Sequence, residues 1–307
     1  MIKSLKYLVF LISSIYGCNF INLKPTKAQL SYISSAEVAE YPSGSTISFR
    51  NGHFYLMGDD ARSLVVLDSS LSIIETINLF PGTEPRIQKI DKADIESSEW
   101  IGEKLYLFGS GSVTTTRDSG FVFDPEDRQV FRIDLGGFYR KMIDIGIPAL
   151  NLEGAAVVKD HLIFANRSNL SNNENYLLLN PVDHLLENIT KAISLKLPGD
   201  AGVSGLTYLP KEDVLILTAS EEDTGSTYDD GAIGGSYLGL IREASTKLSM
   251  DEVVPDQWMP LVAVHKDFFG QKIESVCMYN NDKDKTELLL VSDNDNGTTR
   301  VFRVALH

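Results

Sequence analysis

The sequence predicts an all-β chain that folds as a single β-propeller of five four-stranded blades, with six blades as the alternative. Three observations support this prediction. Short runs of Val, Ile, Leu, Tyr and Phe alternate with Gly, Asn, Asp and Pro, and no long stretch has helical periodicity. One strand-loop-strand pattern recurs five times along the chain. The final copy of this pattern is one strand short.

Each copy of the pattern is an apolar strand that ends in a small residue, followed by a polar loop and a second apolar strand. The small residues are Gly58, Gly109, Ala165, Ala219 and Ser292. Successive copies lie roughly 50 to 75 residues apart, slightly more than the period of common four-stranded blades. The longest interval, before Ser292, leaves room for a sixth blade, so both counts remain open.

The propeller domain is predicted to span residues 31–307. The last copy has three strands before the chain reaches His307, and Ser31–Val38 forms a strand-like run near the beginning of the chain. We expect this N-terminal strand to complete the last blade, because closing the ring removes exposed sheet edges.

The N-terminus has the features of an export signal. Lys3 and Lys6 precede the apolar run Tyr7–Ile15, which is too short to span a bilayer. The run ends in Ile15-Tyr-Gly-Cys18, which resembles a bacterial lipobox. We therefore predict a lipoprotein signal peptide over residues 1–18, a lipid on Cys18, a tether over residues 19–30, and anchoring to the outer membrane on its periplasmic or cell-surface side. The alternative is an ordinary cleaved signal and a free cysteine.

Composition excludes some classes of partner. The chain has 28 Lys and Arg against 42 Asp and Glu, a formal net charge of −14, which argues against nucleic acid because phosphate binding needs clustered cations. Such a surface either attracts divalent cations or is simply solvated. Without Cys18, only Cys277 remains, so the domain has no internal disulfide, and we expect Cys277 to be a buried small side chain.

The repeat also predicts a site at one mouth of the central channel. In a propeller the first strand of each blade lines the channel, and its start shares a face with the end of the second strand. Glu96, Glu153 and Glu274 occupy equivalent starts, with Ser45 and Ser204 in the other two blades. Converging carboxylates need a counter-charge. Calcium, which takes roughly six to eight oxygen ligands, is one candidate.

The predicted calcium ligands are Glu96, Glu153, Glu274 and Asp293. In the alternative interpretation, each Glu accepts hydrogen bonds from backbone amides of the neighbouring blade and locks the ring.

Cations and further polar groups are predicted on the same face. The candidate ligand-binding residues lie in the loops after the second strands: Arg62, Arg117, Asn166, Arg167, Glu221 and Glu222. Glu221 and Glu222 open a long acidic, glycine-rich loop over residues 221–235, and long loops on rigid scaffolds often carry function. The arginines either bind an anionic ligand or balance the carboxylate ring.

No catalytic residue can be named. The chain has no G-x-S-x-G elbow, P-loop, H-E-x-x-H motif or Cys-His zinc spacing. The run Asp293–Gly297 resembles the start of an EF-hand loop, but Val304 stands where that loop needs a Glu.

Several phrases resemble those of known propeller families. Leu152–Ala155, Val203–Tyr208 and Leu289–Asp293 are similar to phytase-like and gluconolactonase-like propellers. The chain is most similar to uncharacterised exported Bacteroidetes-type propeller lipoproteins, which Thr218–Asp223, Tyr228–Gly231 and Gly235–Gly239 also resemble. The likeness to the calcium-dependent lactonases implies a metal-facing role for Glu153, with Glu96 and Glu274 as its repeats.

Two functional hypotheses follow. In the first, the protein is a non-catalytic lipoprotein that binds a glycan, a protein or a small anion on its channel-mouth loops, with calcium as a possible cofactor. In the second, it is a calcium-dependent hydrolase, phosphoesterase-like or lactonase-like, that acts on an anionic ester. Whether the protein is an enzyme remains open at this point.

Overall fold

The computed structural model describes residues 27–38, 41–168, 174–223, 232–282, 285–294 and 297–307. The predicted signal peptide, the predicted lipidation site Cys18 and most of the predicted tether lie outside the described residues. No helix in the described part of the chain is long and apolar enough to cross a membrane.

Most of the described chain is β-strand. The strands are β1 (Leu30–Val38), β2 (Gly44–Arg50), β3 (His53–Gly58), β4 (Ser63–Leu67), β5 (Ile73–Asn78), β6 (Ile95–Ile101), β7 (Lys104–Gly109), β8 (Ser119–Asp124), β9 (Gln129–Asp134), β10 (Leu152–Val158), β11 (His161–Asn166), β12 (Asn175–Pro181), β13 (Lys191–Leu195), β14 (Gly202–Leu209), β15 (Val214–Asp223), β16 (Ala232–Arg242), β17 (Glu252–Val253), β18 (Gln257–Pro260), β19 (Ile273–Asp282), β20 (Lys285–Asp293) and β21 (Thr299–Leu306). The helices are α1 (Gly136–Asp144), α2 (Ala244–Lys247) and α3 (Leu261–Val264).

These strands form five sheets arranged as the blades of a propeller. Their orders are β2-β3-β4-β5, β6-β7-β8-β9, β10-β11-β12-β13-β17, β14-β15-β16-β18 and β1-β21-β20-β19. The innermost strands β2, β6, β10, β14 and β19 contact one another in sequence, and β19 contacts β2. The ring is therefore closed with five blades, which confirms the predicted fold and count and excludes the six-blade alternative.

The N-terminal strand completes the fifth blade as predicted. β1 pairs antiparallel with β21, from Leu30 opposite Leu306 to Val38 opposite Thr299. The ring of Tyr32 stacks on His265 with centroids 3.9 Å apart, and Val38 is 3 % exposed. The strand thus contributes packing as well as backbone hydrogen bonds to the closure.

Large aliphatic and aromatic side chains fill the space between neighbouring sheets. Cys277 on β19 is buried, as expected, and is the free cysteine of the described residues. Burial raises the pKa of its thiol, so this side chain behaves as an inert apolar group.

Two features differ from the sequence-based expectation. The nine-residue helix α1 follows the second blade and buries Phe138, Tyr139 and Met142. It is short and begins with two glycines, which are poor helix formers, so the sequence did not predict it. The segment predicted as a loop over residues 221–235 is partly strand, because β15 extends to Asp223 and β16 begins at Ala232. Residues 224–231 between these strands lie outside the described residues.

Candidate functional site

The same irregularity begins the inner strand of every blade. Each inner strand contains a β-bulge. Two residues of the inner strand pair with consecutive residues of the second strand, although one extra residue separates them on the inner strand. The extra residues are Ser45, Glu96, Glu153, Ser204 and Glu274. A bulge re-aims the side chain of its extra residue. Five equivalent bulges therefore present five polar side chains at one mouth of the channel.

The two serines of this ring hold neighbouring blades together. The Ser45 hydroxyl donates to the carbonyl oxygen of Ile95, and the Ser204 hydroxyl donates to that of Ile273 at 2.6 Å. The glutamates bond differently, because Glu153 accepts from the side-chain amide of Asn151 at 2.6 Å and Glu274 pairs with Lys272 at 2.9 Å. Blade locking is thus the role of the serines, whereas these two glutamates contact side chains at the mouth.

One half of the mouth is organised around Arg167. Its Nη1 atom lies 3.9 Å from a carboxylate oxygen of Glu153 and 3.9 Å from one of Glu274. Its Nη2 atom lies 3.4 Å from Glu222, which Lys272 also contacts. Arg167 is 6 % exposed. Its Nη1 atom and Glu274 Oε2 form no hydrogen bond with any described residue.

The other half of the mouth is organised around Lys92. Its ammonium contacts the carboxylates of Asp59 and Asp94, the latter at 2.7 Å, and Arg117 adds a second cation 2.8 Å from Asp94. Asp59, Asp94 and Glu96 each place one carboxylate oxygen within 4.8 Å of the others. Glu96 is the third carboxylate of this half, and the charge of Lys92 stabilises its ionised form.

Burial and crowding of like charges shift the pKa values of these carboxyls. Withdrawal from water raises the pKa of Glu153 to about 8, against the opposing effect of Arg167 and with a further rise from Glu274. Burial, followed by the charges of Asp94 and Glu153, holds the pKa of Glu96 well above its usual range. The pKa of Glu96 therefore depends on both halves of the mouth, because Asp94 belongs to one half and Glu153 to the other.

Burial also raises the pKa of Asp59 to about 6, although Lys92 opposes the rise. Asp94 behaves differently: burial acts to raise its pKa, but Lys92 and Arg117 together bring it below the usual value.

A cavity of about 250 Å³ opens beside the Lys92 half of the mouth. Residues from the first, second and fifth blades and their connections line it: Ser43, Asp59, Asp60, Arg86, Ile87, Lys89, Lys92 and Asp293. Arg86 makes two contacts of 2.7 Å with Asp60 Oδ2. Asp59 Oδ1 and Asp60 Oδ1 accept no hydrogen bond from the described residues. The cavity wall thus carries both hydrogen-bond donors and acceptors.

The structure brings most of the predicted site residues to this mouth. Glu96, Glu153, Glu274, Arg117, Arg167 and Glu222 belong to the two charged groups, and Asp293 lines the cavity. Whether these residues bind a ligand or calcium stays a prediction.

Three predicted residues make other contacts. Arg62 donates to the carbonyl oxygens of Pro81 and Glu84, and Glu221 accepts from the Tyr237 hydroxyl at 2.8 Å. Asn166 is fully buried and accepts from the backbone amide of Asn151.

Sequence reasoning did not single out Asp59, Asp94, Lys92 or Lys272 as site residues. A signal for two of them exists, because Asp94 and Lys272 each stand two residues before a bulge glutamate. Both residues immediately precede their inner strands, so the position two residues before each ring glutamate was a second place to search. Lys92 precedes its strand, and only the path of the connecting chain brings it to the site.

Several solved structures resemble this fold. Glutaminyl cyclase of Myxococcus xanthus is 13% identical with a TM-score of 0.53, over 90% of this chain and 96% of that chain. The major Malassezia sympodialis allergen Mala s 1 is 12% identical with a TM-score of 0.51, over 88% and 94% of the two chains. The PQQ-bound aldose sugar dehydrogenase of Streptomyces coelicolor is 11% identical with a TM-score of 0.51, over 92% and 99%. At these identities the likeness supports the propeller fold alone.

No curated protein sequence matches the chain significantly. The model of a family of unknown function (DUF6929) matches residues 40–306, which is nearly the whole propeller. The chain therefore belongs to the DUF6929 family.

Proposed function

We propose that the protein is a binding propeller that takes a saccharide at the charged channel mouth, outside the cytoplasm, on a membrane to which a lipid on Cys18 tethers it. The observation that carries the saccharide site is the cavity of about 250 Å³ whose wall combines three carboxylates with three cationic side chains. Its size suits one or two sugar rings rather than a large ligand.

The chemistry of the wall favours a hydroxyl-rich ligand. Ionised carboxylates only accept hydrogen bonds, and Arg and Lys only donate them, whereas a hydroxyl does both. Neighbouring sugar hydroxyls can therefore donate to Asp59 and Asp60 while they accept from Arg86. An anionic ligand suits the wall less well, because these carboxylates would repel it.

Arg86→Ala is expected to weaken saccharide binding by about tenfold or more, since it removes a donor and leaves Asp60 without its cation. The probes are glucose, galactose, mannose and N-acetylglucosamine, measured by the rise in melting temperature and by calorimetric titration. Lys104→Ala is the matched control. Lys104 also pairs with an aspartate, Asp124, and its side chain is 46% exposed against 47% for Arg86.

The result that supports the proposal is binding of at least one sugar, lost in Arg86→Ala and retained in Lys104→Ala. Binding of inorganic phosphate in place of every sugar would overturn the saccharide class. A sugar that binds Arg86→Ala as tightly as the wild type would overturn the location.

A second candidate function is calcium-dependent hydrolysis of an anionic ester, favoured by the proximity of Asp59, Asp94 and Glu96. The ammonium of Lys92 already contacts two of these carboxylates. The other predicted ligands, Glu153 and Glu274, share Arg167 on the other half of the mouth.

We therefore expect neither Ca²⁺ nor a chelator to change the melting temperature of the wild type, because protein cations supply much of the counter-charge. Differential scanning fluorimetry with Ca²⁺ and with EGTA tests this. A chelator-induced fall in melting temperature that Glu96→Gln abolishes would favour the hydrolase instead. Mg²⁺ at the same concentration controls for ionic strength.

Cys18→Ser is expected to move the protein from the membrane fraction to the soluble fraction, because the acylated cysteine is the proposed anchor. Fractionation of cells that express the full chain measures this. Cys277→Ser is the matched control, since it replaces the buried cysteine and should leave fractionation unchanged. A Cys18→Ser protein that still requires detergent for release would refute the lipid anchor.

A further inference from the structure

A second cavity, of about 220 Å³, lies at the opposite mouth of the channel. All five inner strands contribute to its wall, and they do so near their ends: Phe49 on β2, Trp100 on β6, Val157 on β10, Tyr208 on β14 and Met278 on β19. Since the bulge residues begin these strands, the two cavities occupy opposite ends of the propeller. We refer to the second one as the opposite-mouth cavity.

The wall of the opposite-mouth cavity combines apolar and aromatic residues with hydroxyl side chains, and only two of its residues are charged, Arg50 and Glu99. Arg50 is already engaged at the rim. It pairs with Glu103 at 2.5 Å, and its guanidinium lies over the Trp100 ring, 4.8 Å from the centroid. Its charge is therefore balanced outside the cavity, next to bulk water.

Glu99 has no such partner. It accepts a hydrogen bond from the backbone amide of Trp100 at 3.0 Å, and no ion pair joins it to any described residue. Its withdrawal from water raises its pKa to about 8, and the amides of Trp100 and Val157 only partly oppose this rise. A carboxyl held away from water without a cation is costly in its ionised form. The cavity thus contains an acid for which the protein provides no counter-ion.

We propose that the opposite-mouth cavity binds a compact organic ammonium ion, whose charge pairs with Glu99 and whose apolar part packs against Phe49, Trp100 and Tyr208. Aromatic rings around a carboxylate suit this chemistry, because their faces attract cations and cover hydrocarbon. The volume is below that of pockets for drug-sized ligands. A ligand with a single ring or a short chain is therefore the expected size.

Other ligand classes fit the opposite-mouth cavity less well. A metal ion such as calcium needs several oxygen ligands, and the wall provides one carboxylate among apolar groups. A carboxylate or phosphate would meet Glu99 without an available cation, since Glu103 already balances Arg50. A neutral alcohol could enter but would bring no cation to stabilise the ionised form of Glu99.

Three probes of one shape separate these possibilities: benzylamine, benzyl alcohol and benzoate. The three probes share a ring and differ in charge, so their affinities isolate the contribution of the ammonium to binding. Calorimetric titration of the full chain measures the affinities, and amide NMR shifts at Val157 and Met278 locate the binding. We expect benzylamine to bind at least about tenfold more tightly than benzyl alcohol, and benzoate not to bind. Equal binding of amine and alcohol, or tighter binding of benzoate, would overturn the proposal without any variant.

Glu99→Gln tests the residue assignment. The change keeps the shape of the side chain and removes its charge, so the fold should persist and benzylamine affinity should fall by about tenfold or more. Glu212→Gln is the control, because Glu212 is an exposed carboxylate in the turn after β14, at the same end of the propeller. Unchanged benzylamine affinity in Glu99→Gln would refute the pairing. Arg86→Ala should leave benzylamine binding unchanged, so the proposal for this cavity and the saccharide proposal can be refuted independently.

Discussion

Deletion of residues 27–38 is expected to lower the melting temperature of the whole propeller by roughly 10–20 °C. The deleted segment contains β1, whose removal exposes the full length of β21 as a sheet edge. It also removes the buried Val38 and the stacked Tyr32. Burial of each large apolar side chain stabilises a fold by about 1.5–3 kcal/mol. Each kcal/mol lost shifts the melting temperature of a domain this size by roughly 2–4 °C.

Val38→Asp tests the same closure with a single substitution. It places an unpaired carboxylate in the packed interior beside the first blade, where Val38 belongs to the main apolar cluster. Glu37→Ala, at an exposed neighbouring position on β1, is the matched control. Circular dichroism should show one cooperative transition at a lower temperature for Val38→Asp and for the deletion. A transition at the wild-type temperature in the deleted chain would show that β1 does not close the ring.

The ring of polar residues was predictable from the sequence because it depends only on repeat register. Glu96, Glu153 and Glu274 follow one pattern, and all three prove to be bulge residues at equivalent positions. Strand spacing and alternation are local properties, so a repeat fixes them in every blade. The closing strand was predictable for a similar reason, since a blade with three strands requires a fourth from elsewhere in the chain.

The cations at the mouth could not be placed by the same reasoning. Arg62, Arg117 and Arg167 all follow second strands, yet they stand at different distances from the strand ends because the loops differ in length. Arg117 and Arg167 reach carboxylates, whereas Arg62 donates to backbone carbonyls of the connection between β5 and β6. The contacts of a long flexible side chain on a loop of variable length cannot be predicted from the register of the repeat.

The opposite-mouth cavity was missed for a different reason. Glu99 is a single acid within an inner strand and has no repeated counterpart in the other blades. Such a residue is ordinarily interpreted as a solvated side chain. Only the convergence of five strand ends shows that Glu99 lies in the wall of a cavity.

Arg167→Met is expected to destabilise the propeller by about 3–5 kcal/mol at about pH 8.5, because loss of one partner leaves ionised buried carboxylates uncompensated. Arg167 contacts Glu153, Glu222 and Glu274. Lys272 also contacts Glu222 and Glu274. Met retains much of the apolar volume of the arginine, so the loss of stability measures mainly the effect of removing the charge. Arg128→Met is the control, since Arg128 forms an exposed ion pair with Glu75, and such pairs contribute about 0–1 kcal/mol.

The pH dependence separates charge from packing in this experiment. The pKa of Glu153 rises from an ordinary value of 4.5 to about 8 in the folded protein. Between these two values the folded state holds a proton that the unfolded state has released, so stability falls as pH rises through this window. Without Arg167, which opposes the rise, the pKa of Glu153 should rise further. The destabilisation by Arg167→Met should therefore be largest at about pH 8.5 and smallest at about pH 5.

Addition of Glu153→Gln to Arg167→Met should recover part of the lost stability at the higher pH, because the double variant no longer buries that charge. Urea unfolding of the wild type, both single variants and the double variant at the two pH values gives the coupling between the residues. A loss that is equal at both pH values, with no recovery in the double variant, would mean that Arg167 stabilises the mouth by packing alone. A coupling that grows with pH would identify Arg167 as the counter-charge that permits these carboxylates to converge.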